Sequence, residues 1–242
     1  MTTRLLLVED DPTTAAFLDA AAQGVPAEVD VAGSCAAALA LAGHQDRHDL
    51  WLIDANLPDG DGAGLLATLR ARGLRALALA HTAALEPDIL AALREAGFRE
   101  VLVKPMPATT LQVAVRDALG LRVAEAAPAA FRTGGIEGTW DDAAALAALN
   151  GERAHVDALR KLFLGELPDA CNNVRSAAHA GNVDTLRAAL HRLRASCGFV
   201  GAARMAAAVA GLQESPRSGQ ALAHFLQTAQ DTLSSASVPD EA

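Results

Sequence analysis

The chain has 242 residues, 51% of them hydrophobic, and carries a formal net charge of −9 at pH 7. This length allows two modest domains with a core each, and the apolar content excludes a chain that is disordered over most of its length. The acidic balance, without any basic stripe, excludes a nucleic-acid-binding surface. No apolar run approaches a membrane span and no signal sequence is recognisable, so we expect a cytoplasmic protein without membrane insertion.

Residues 1–121 alternate short apolar runs with amphipathic segments, which predicts five βα units. The predicted strands are Arg4–Val8, Glu28–Ala32, Leu50–Asp54, Ala76–Ala80 and Glu100–Lys104. The predicted helices lie near Thr13–Ala22, Ser34–Ala42, Gly62–Arg72, Pro87–Ala96 and Thr109–Leu119. Ser34 is placed to cap the second helix, and Gly73 and Gly97 are placed to end the third and fourth. Such nearly continuous apolar strands predict a doubly wound parallel sheet with helices on both faces.

The second half of the chain has a different pattern. Residues 122–138 are rich in Ala, Pro, Gly and Thr and lack periodicity, which is typical of a linker. From residue 139 to residue 236 helical periodicity dominates, with breaks near Gly151, Gly181, Gly198–Gly201 and Ser215–Gly219. Four or five helices with short loops predict an antiparallel bundle. The predicted fold class is therefore α/β (residues 1–121) plus all-α (residues 139–236).

Polar residues stand at the carboxyl ends of the predicted strands, where open parallel sheets bind their ligands. They are Glu9, Asp10 and Asp11 after the first strand, Asp54 at the end of the third, Thr82 after the fourth and Lys104 at the end of the fifth. Carboxylates in one crevice repel one another, and a hard divalent cation, most simply Mg²⁺, relieves that repulsion. The ion would also neutralise a phosphoryl group arriving at one carboxylate, with Lys104 and Thr82 holding its other oxygens.

These segments resemble the receiver domains of bacterial response regulators. The matching stretches are LLLVEDDP, WLIDANLPDGDG, Thr82-Ala83 and VLVKPM, in the order and spacing of that family. The resemblance implies a flavodoxin-like fold with Asp54 as the phosphoacceptor and Thr82 and Lys104 contacting the phosphoryl group. It also implies a Mg²⁺ site. Asp54, Asp10 and the backbone carbonyl of Asn56 would bind the ion directly, and Glu9 would bind it through water.

One position departs from the receiver family. Receivers usually place Tyr or Phe three residues before the lysine, and this side chain swings inward when the threonine engages phosphate. The present chain has Val101 there and no tyrosine anywhere. We therefore do not expect the aromatic part of the usual switch.

Three other interpretations of the first domain fit less well. A flavodoxin-like cofactor domain needs a phosphate loop rich in Ser, Thr and Gly after the first strand, where three acids stand instead. An EF-hand at Asp54–Asp61 would place Pro58 at a ligand position and Leu65 where the bidentate glutamate belongs. A solvated cluster of loop acids would not explain why polar groups coincide at several strand ends.

The segment Asn182–Cys197 has the pattern of an amphipathic helix that begins at Asn182. Its predicted buried stripe consists of Leu186, Leu190, Leu193 and Cys197. His191 lies roughly 100° round the helix from Leu190, on the flank of that stripe. Its face also carries Arg187, Arg194, Ala195 and Gly198. Positive charge and small neighbours suit an imidazole that meets an aspartyl phosphate on another protein, but a solvated or packing histidine fits the same pattern.

The stretch HRLRASCGFVGA resembles the phosphoacceptor segment of histidine-phosphotransfer (Hpt) domains. The hairpin before it and the helix AAAVAGLQ after it also fit that family. The family's positions are occupied here by His191, Arg194, Ser196, Gly201 and Ala202. Arginine stands at 194 where lysine is commoner, and Ala195 where glycine is commoner. The resemblance implies that His191 carries a phosphoryl group, and Arg194 would offset its charge.

The remaining histidines receive no functional prediction. His44, His48, His155 and His224 lack a convergent site, and His179 lies near a predicted helix end, where a cation complements the helix dipole. His81 precedes Thr82, and alternation along the strand predicts that its side chain points away from the acidic pocket.

The two resemblances together predict a two-component phosphorelay protein, a phosphotransfer intermediate rather than a turnover enzyme. Asp54 would accept a phosphoryl group from a phosphohistidine on a sensor histidine kinase or Hpt partner, and His191 would exchange it with a receiver aspartate. No ATP-binding motif is present, so phosphate has to come from a partner. Two alternatives stay open, a binding module in which His191 is silent and a phosphate sink. The sequence predicts no oligomeric state.

Overall fold

The computed structural model describes residues 3–43, 45, 47–121, 139–149 and 151–235, and the chain divides into two compact units. The predicted linker, residues 122–138, lies outside the described residues, so the domain boundaries remain predictions. Within the described ranges, no helix is both long enough and apolar enough to cross a membrane.

A five-stranded parallel sheet forms the centre of the first unit. Its strands are β1 (Thr3–Val8), β2 (Ala27–Ala32), β3 (Leu50–Asp54), β6 (Leu77–Thr82) and β7 (Glu100–Val103). They lie in the order β2-β1-β3-β6-β7, and every pairing is parallel. The short strands β4 (Asn56–Leu57) and β5 (Gly60–Asp61) form an antiparallel hairpin directly after β3. The predicted parallel sheet is thus confirmed, with β6 running two residues further than the sequence pattern indicated.

Four helices connect the consecutive strands of this sheet, and a fifth follows the last strand. They are α1 (Pro12–Ala22), α2 (Cys35–Ala42), α3 (Gly62–Ala71), α4 (Pro87–Glu95) and α5 (Ala108–Ala118). The hydroxyl of Ser34 accepts a hydrogen bond from the Ala37 amide at 3.1 Å, which confirms its predicted role as a cap. Gly73 and Gly97 follow α3 and α4 with φ of 84° and 105°, in the left-handed region that glycine adopts without strain.

The core of this unit explains why its strands are almost continuously apolar. Leu5, Leu6, Leu7 and Val8 of β1 are all buried, and so is every residue of β3. A strand that is covered on both faces has no solvent side, so it needs apolar residues at successive positions. The packing of the central strands therefore determines the positions of the residues at the carboxyl edge of the sheet.

The second unit consists of helices. They are α6 (Asp142–Ala148), α7 (Arg153–His179), α8 (Val183–Val200), α9 (Ala203–Glu214) and α10 (Gly219–Ser235). Helices α7 and α8, α8 and α9, α9 and α10, and α10 and α7 pack as neighbours, as in the predicted bundle. Helix α8 ends at Gly201, with φ of 71°, where an added Cβ would collide with the Asp141 carbonyl. The break therefore falls at the end of the predicted Gly198–Gly201 interval.

Arg160 of α7 ties three parts of the helical unit together. Its Nε donates a hydrogen bond to the Val200 carbonyl at 3.0 Å, and its guanidinium lies 2.6 Å from a carboxylate oxygen of Asp142. The guanidinium also stacks on the Trp140 ring at 4.7 Å from the ring centre. Since the side chain is only 15% exposed, these charge-assisted contacts are poorly replaced by water.

Replacing Arg160 with alanine is therefore expected to lower the free energy of unfolding of the helical unit by about 2 kcal/mol. Arg153 offers a matched control, because it pairs with the same Asp142 at 3.0 Å but is 54% exposed. Its replacement by alanine should cost less than about 1 kcal/mol. Urea unfolding of both variants measures the difference, and equal losses would contradict the role given to Arg160.

Candidate functional site

The carboxyl edge of the sheet brings four buried polar side chains to one end of the first unit. Glu9 follows β1, Asp54 ends β3, Thr82 ends β6 and Lys104 follows β7. Parallel strands all point their carboxyl ends at the same edge, which is why residues so distant in sequence share this position. We call this edge the acidic pocket.

Lys104 joins the two buried carboxylates of the acidic pocket. Its Nζ donates hydrogen bonds to Asp54 Oδ2 at 2.6 Å and to Glu9 Oε2 at 2.9 Å. The second oxygen of Asp54 accepts from the Asn56 amide, and that of Glu9 from the Asp11 amide, both at 3.0 Å. The three side chains are 6% exposed or less, so water screens their attraction poorly.

Burial and nearby charges shift the pKa values of the two buried carboxyl groups, Glu9 and Asp54, in opposite directions. Burial raises the pKa of Glu9 to about 8, although the Lys104 ammonium opposes this rise. Burial also disfavours charge on Asp54, but the attraction and hydrogen bond of Lys104, together with His81 and the hydrogen bond from the Asn56 amide, outweigh it and hold the pKa of Asp54 below its usual value. Lys104 gains more from the two carboxylates than it loses by burial, which raises its pKa. Asp54 is therefore the carboxylate that stays ionised, as a nucleophile must.

The other predicted members of the pocket lie at the same edge of the sheet. Asp10 follows Glu9 and is half-buried, while Asn56 is exposed in the β4–β5 hairpin. Thr82 is buried, and its hydroxyl accepts a hydrogen bond from the Ala84 amide at 3.1 Å. Val101 stands at the position where receivers usually have Tyr or Phe, and its side chain is buried in the core beside the sheet.

His81 is also a member of the pocket, and the prediction that its side chain points away was wrong. Its Nδ1 lies 3.5 Å from Glu9 Oε2 and 4.0 Å from Asp54 Oδ2, and the ring is fully buried. The reason is the register between β3 and β6, which pairs His81 with Asp54. Paired residues of neighbouring strands point their side chains to the same face of the sheet. The side chain of His81 therefore points to the same face as that of Asp54.

The buried imidazole predicts a pH dependence of stability. Burial, reinforced by the Lys104 cation, lowers the pKa of His81 from 6.5 to about 3. Unfolding therefore takes up a proton below pH 6.5, so the contribution of the neutral ring is complete above that pH and is lost as pH falls from 6.5 towards 3.

We expect the wild-type chain to lose up to about 1 kcal/mol per pH unit more than His81→Leu over this range. Urea unfolding of both proteins with a chelator present, from about pH 4 to 7, measures the difference, because the groups outside the pocket titrate in both. Parallel stability curves would contradict a neutral, buried His81.

The histidine singled out in the helical unit lies in the middle of α8. His191 is half-buried, and the predicted stripe beside it is buried as expected. Arg187 is exposed and Arg194 half-buried, so positive charge is available on this helix. Ala195, by contrast, is only 1% exposed. Ala195, which the sequence pattern placed on the face of His191 as a small neighbour, is therefore packed in the interior, as Ser196 is.

Both halves of the chain match known protein families. Residues 5–116 match the family model of the response regulator receiver domain, and residues 158–236 match that of the Hpt domain. The KDP operon transcriptional regulatory protein KdpE of Escherichia coli (strain K12) is 33% identical over 126 residues. That similarity covers 52% of this chain and 55% of KdpE, so the chain spans about half the length of this curated relative.

Several solved receiver structures are similar to part of the chain. The signal receiver domain of a putative Luxo repressor protein from Vibrio parahaemolyticus has a TM-score of 0.47 and 23% identity, covering 50% of this chain and 92% of that one. The receiver domain of Francisella response regulator 1452 has a TM-score of 0.46 and 23% identity, covering 49% and 97%. The non-phosphorylated HemR receiver domain from Leptospira biflexa has a TM-score of 0.46 and 24% identity, covering 51% and 99%.

Proposed function

We propose that this two-component phosphorelay protein, which joins a response regulator receiver domain to an Hpt domain, carries phosphoryl groups on Asp54 and on His191. The observation that carries the proposal for Asp54 is its 2.6 Å contact with the buried Lys104 ammonium. This contact keeps one carboxylate ionised beneath the edge of the sheet and places a cation where a phosphoryl group would arrive.

The chemistry proposed for Asp54 is transfer from a phosphohistidine of a partner. A carboxylate oxygen of Asp54 attacks phosphorus, the P–N bond of the donor breaks, and the departing imidazole keeps the electron pair and takes up a proton. Lys104 and Thr82 would donate to the phosphoryl oxygens. Because the pKa of Asp54 is held low, no base has to remove a proton from it before the attack.

The pocket also suits a Mg²⁺ ion. Glu9 and Asp54 are two buried carboxyl groups beside one ammonium, so ionisation of both would leave an excess negative charge that a divalent cation would offset. Asp54, Asp10 and the Asn56 carbonyl would bind the ion, and Glu9 would act through water; all are the oxygen ligands that Mg²⁺ prefers. When bound, the ion supplies positive charge that stabilises the phosphoryl group during transfer.

His191 is proposed as the second phosphoacceptor. It lies in the segment of α8 that falls within the Hpt match, and it is half-buried on the flank of the buried stripe. A neutral imidazole nitrogen can attack the phosphorus of an aspartyl phosphate; the P–O bond to the aspartate breaks, its carboxylate departs with the electron pair, and the imidazole releases its proton to solvent. Arg194 would offset the charge of the phosphoryl group that arrives. Its exchange partner would be Asp54 or the aspartate of another receiver, and a sensor histidine kinase or other phosphorelay protein would supply the phosphate.

Phosphorylation by a small-molecule donor tests the proposed chemistry at Asp54. Radiolabelled acetyl phosphate with Mg²⁺ should give the full-length chain a base-labile acyl phosphate, and EDTA should prevent most of the labelling because the pocket then lacks its neutralising ion. A chelator-treated sample to which Mg²⁺ is added back is the control. Labelling that is equally fast without divalent metal would reject the proposed mechanism.

A further inference from the structure

The acidic pocket contains a nitrogen donor that its proposed phosphoryl chemistry does not use. His81 is fully buried, and within the described part of the chain neither ring nitrogen makes a hydrogen bond of normal geometry, although the Val8 backbone lies near the ring. Buried polar groups without such a bond are rare and call for an explanation. The nitrogen that faces the pocket is Nδ1, which has Glu9 and Asp54 in front of it.

We propose that Nδ1 of His81, together with Glu9 and Asp54, forms a binding site for a divalent transition-metal ion of the cobalt-to-zinc range. One ligand atom from each of the three residues lies within 4.8 Å of the others. Metal–ligand bonds of about 2.0–2.2 Å place neighbouring ligands of one ion roughly 3 to 3.5 Å apart. The Nδ1 distances of 3.5 Å and 4.0 Å are within reach of that spacing by small side-chain rotations.

The chemistry of the donor set separates this site from the Mg²⁺ site. Mg²⁺ takes oxygen ligands and retains water, so an imidazole adds nothing to its binding. Ions of the cobalt-to-zinc range accept imidazole together with carboxylate, and their affinity for mixed nitrogen and oxygen sites is higher. The presence of a histidine beside ligands that are otherwise all oxygen therefore favours a different class of ion.

Lys104 now occupies the position that such an ion would take. Its Nζ lies within 3 Å of the same two oxygens, Glu9 Oε2 and Asp54 Oδ2. A divalent ion would balance both carboxylates, whereas one ammonium balances only one. The long lysine side chain would have to withdraw as the ion enters. If the proposed function holds, the ion would compete with phosphorylation, since it separates Lys104 from Asp54. The binding itself does not depend on that function.

Cobalt(II) is the probe that tests the site directly on the full-length chain. Bound Co²⁺ should produce an exchangeable, hyperfine-shifted proton NMR signal from the coordinated imidazole, and labelling of histidine with ¹⁵N should split that signal. His81→Leu should abolish the signal and weaken Co²⁺ binding by at least about tenfold, measured by calorimetry. Its Mg²⁺ affinity should stay within about twofold of wild type, because Mg²⁺ does not use the nitrogen.

The exposed His224 of α10 provides the matched control. His224→Gln should retain both the shifted signal and the Co²⁺ affinity of wild type. The proposal is overturned if the wild-type chain at saturating Co²⁺ shows no imidazole signal, a result that needs no variant to fold. It is equally overturned if His81→Leu folds and binds Co²⁺ as tightly as wild type. Neither outcome would affect the acetyl phosphate experiment, so the two proposals fail separately.

Discussion

The variant Asp54→Asn is expected to lose all acetyl phosphate labelling, down to the background of a denatured sample. An amide has no ionised oxygen to attack phosphorus, while its shape still fills the position beside Lys104. The substitution thus removes the nucleophile and leaves the size of the side chain unchanged. Intact-protein mass spectrometry measures the outcome as the presence or absence of a phosphorylated species.

Asp59 supplies a control of the same chemical change outside the pocket. Its carboxylate accepts hydrogen bonds from the Cys35 and Ala36 amides, at 2.8 Å and 2.9 Å, and makes no contact with Lys104 among the contacts of the described residues. Asp59→Asn should therefore be labelled as fast as wild type. Retained labelling in Asp54→Asn, or its loss only in Asp59→Asn, would mean that the phosphoacceptor is another carboxylate.

The second large effect is expected at His191. After incubation with a phosphorylated receiver, the wild-type chain should carry phosphate that is stable to base and labile to acid, as a phosphohistidine is. His191→Gln should carry none, because an amide nitrogen is not a nucleophile at neutral pH. The experiment is performed in the Asp54→Asn background. The chain then cannot form an acyl phosphate at position 54, so this species does not contribute to the measured label.

His179 provides the corresponding control in the neighbouring helix. It is exposed in the last turn of α7, outside the segment that resembles the phosphoacceptor region. His179→Gln should gain base-stable phosphate at the wild-type rate. If His191→Gln does so as well, the bundle is better described as a docking module that Asp54 phosphorylation controls, and the relay through His191 is rejected.

The sequence by itself determined most of the framework. Continuous apolar runs gave the strands, because a strand covered on both faces needs apolar residues throughout, and local caps such as Ser34 marked helix ends. The same reasoning brought Glu9, Asp54 and Lys104 to one edge, since parallel strands expose their carboxyl ends together. The buried stripe of α8 followed equally from a period of 3.6 residues.

Only the tertiary structure decided what the pocket contains beyond these strand-end residues. Alternation along β6 relates the side-chain directions of residues within that strand only. The face that His81 shares with Asp54 depends on the register between β3 and β6. That register is set by how the whole sheet packs, so no local pattern encodes it. Arg160 is a similar case, because Asp142 and Val200, the residues it joins, are close only after the helices have packed.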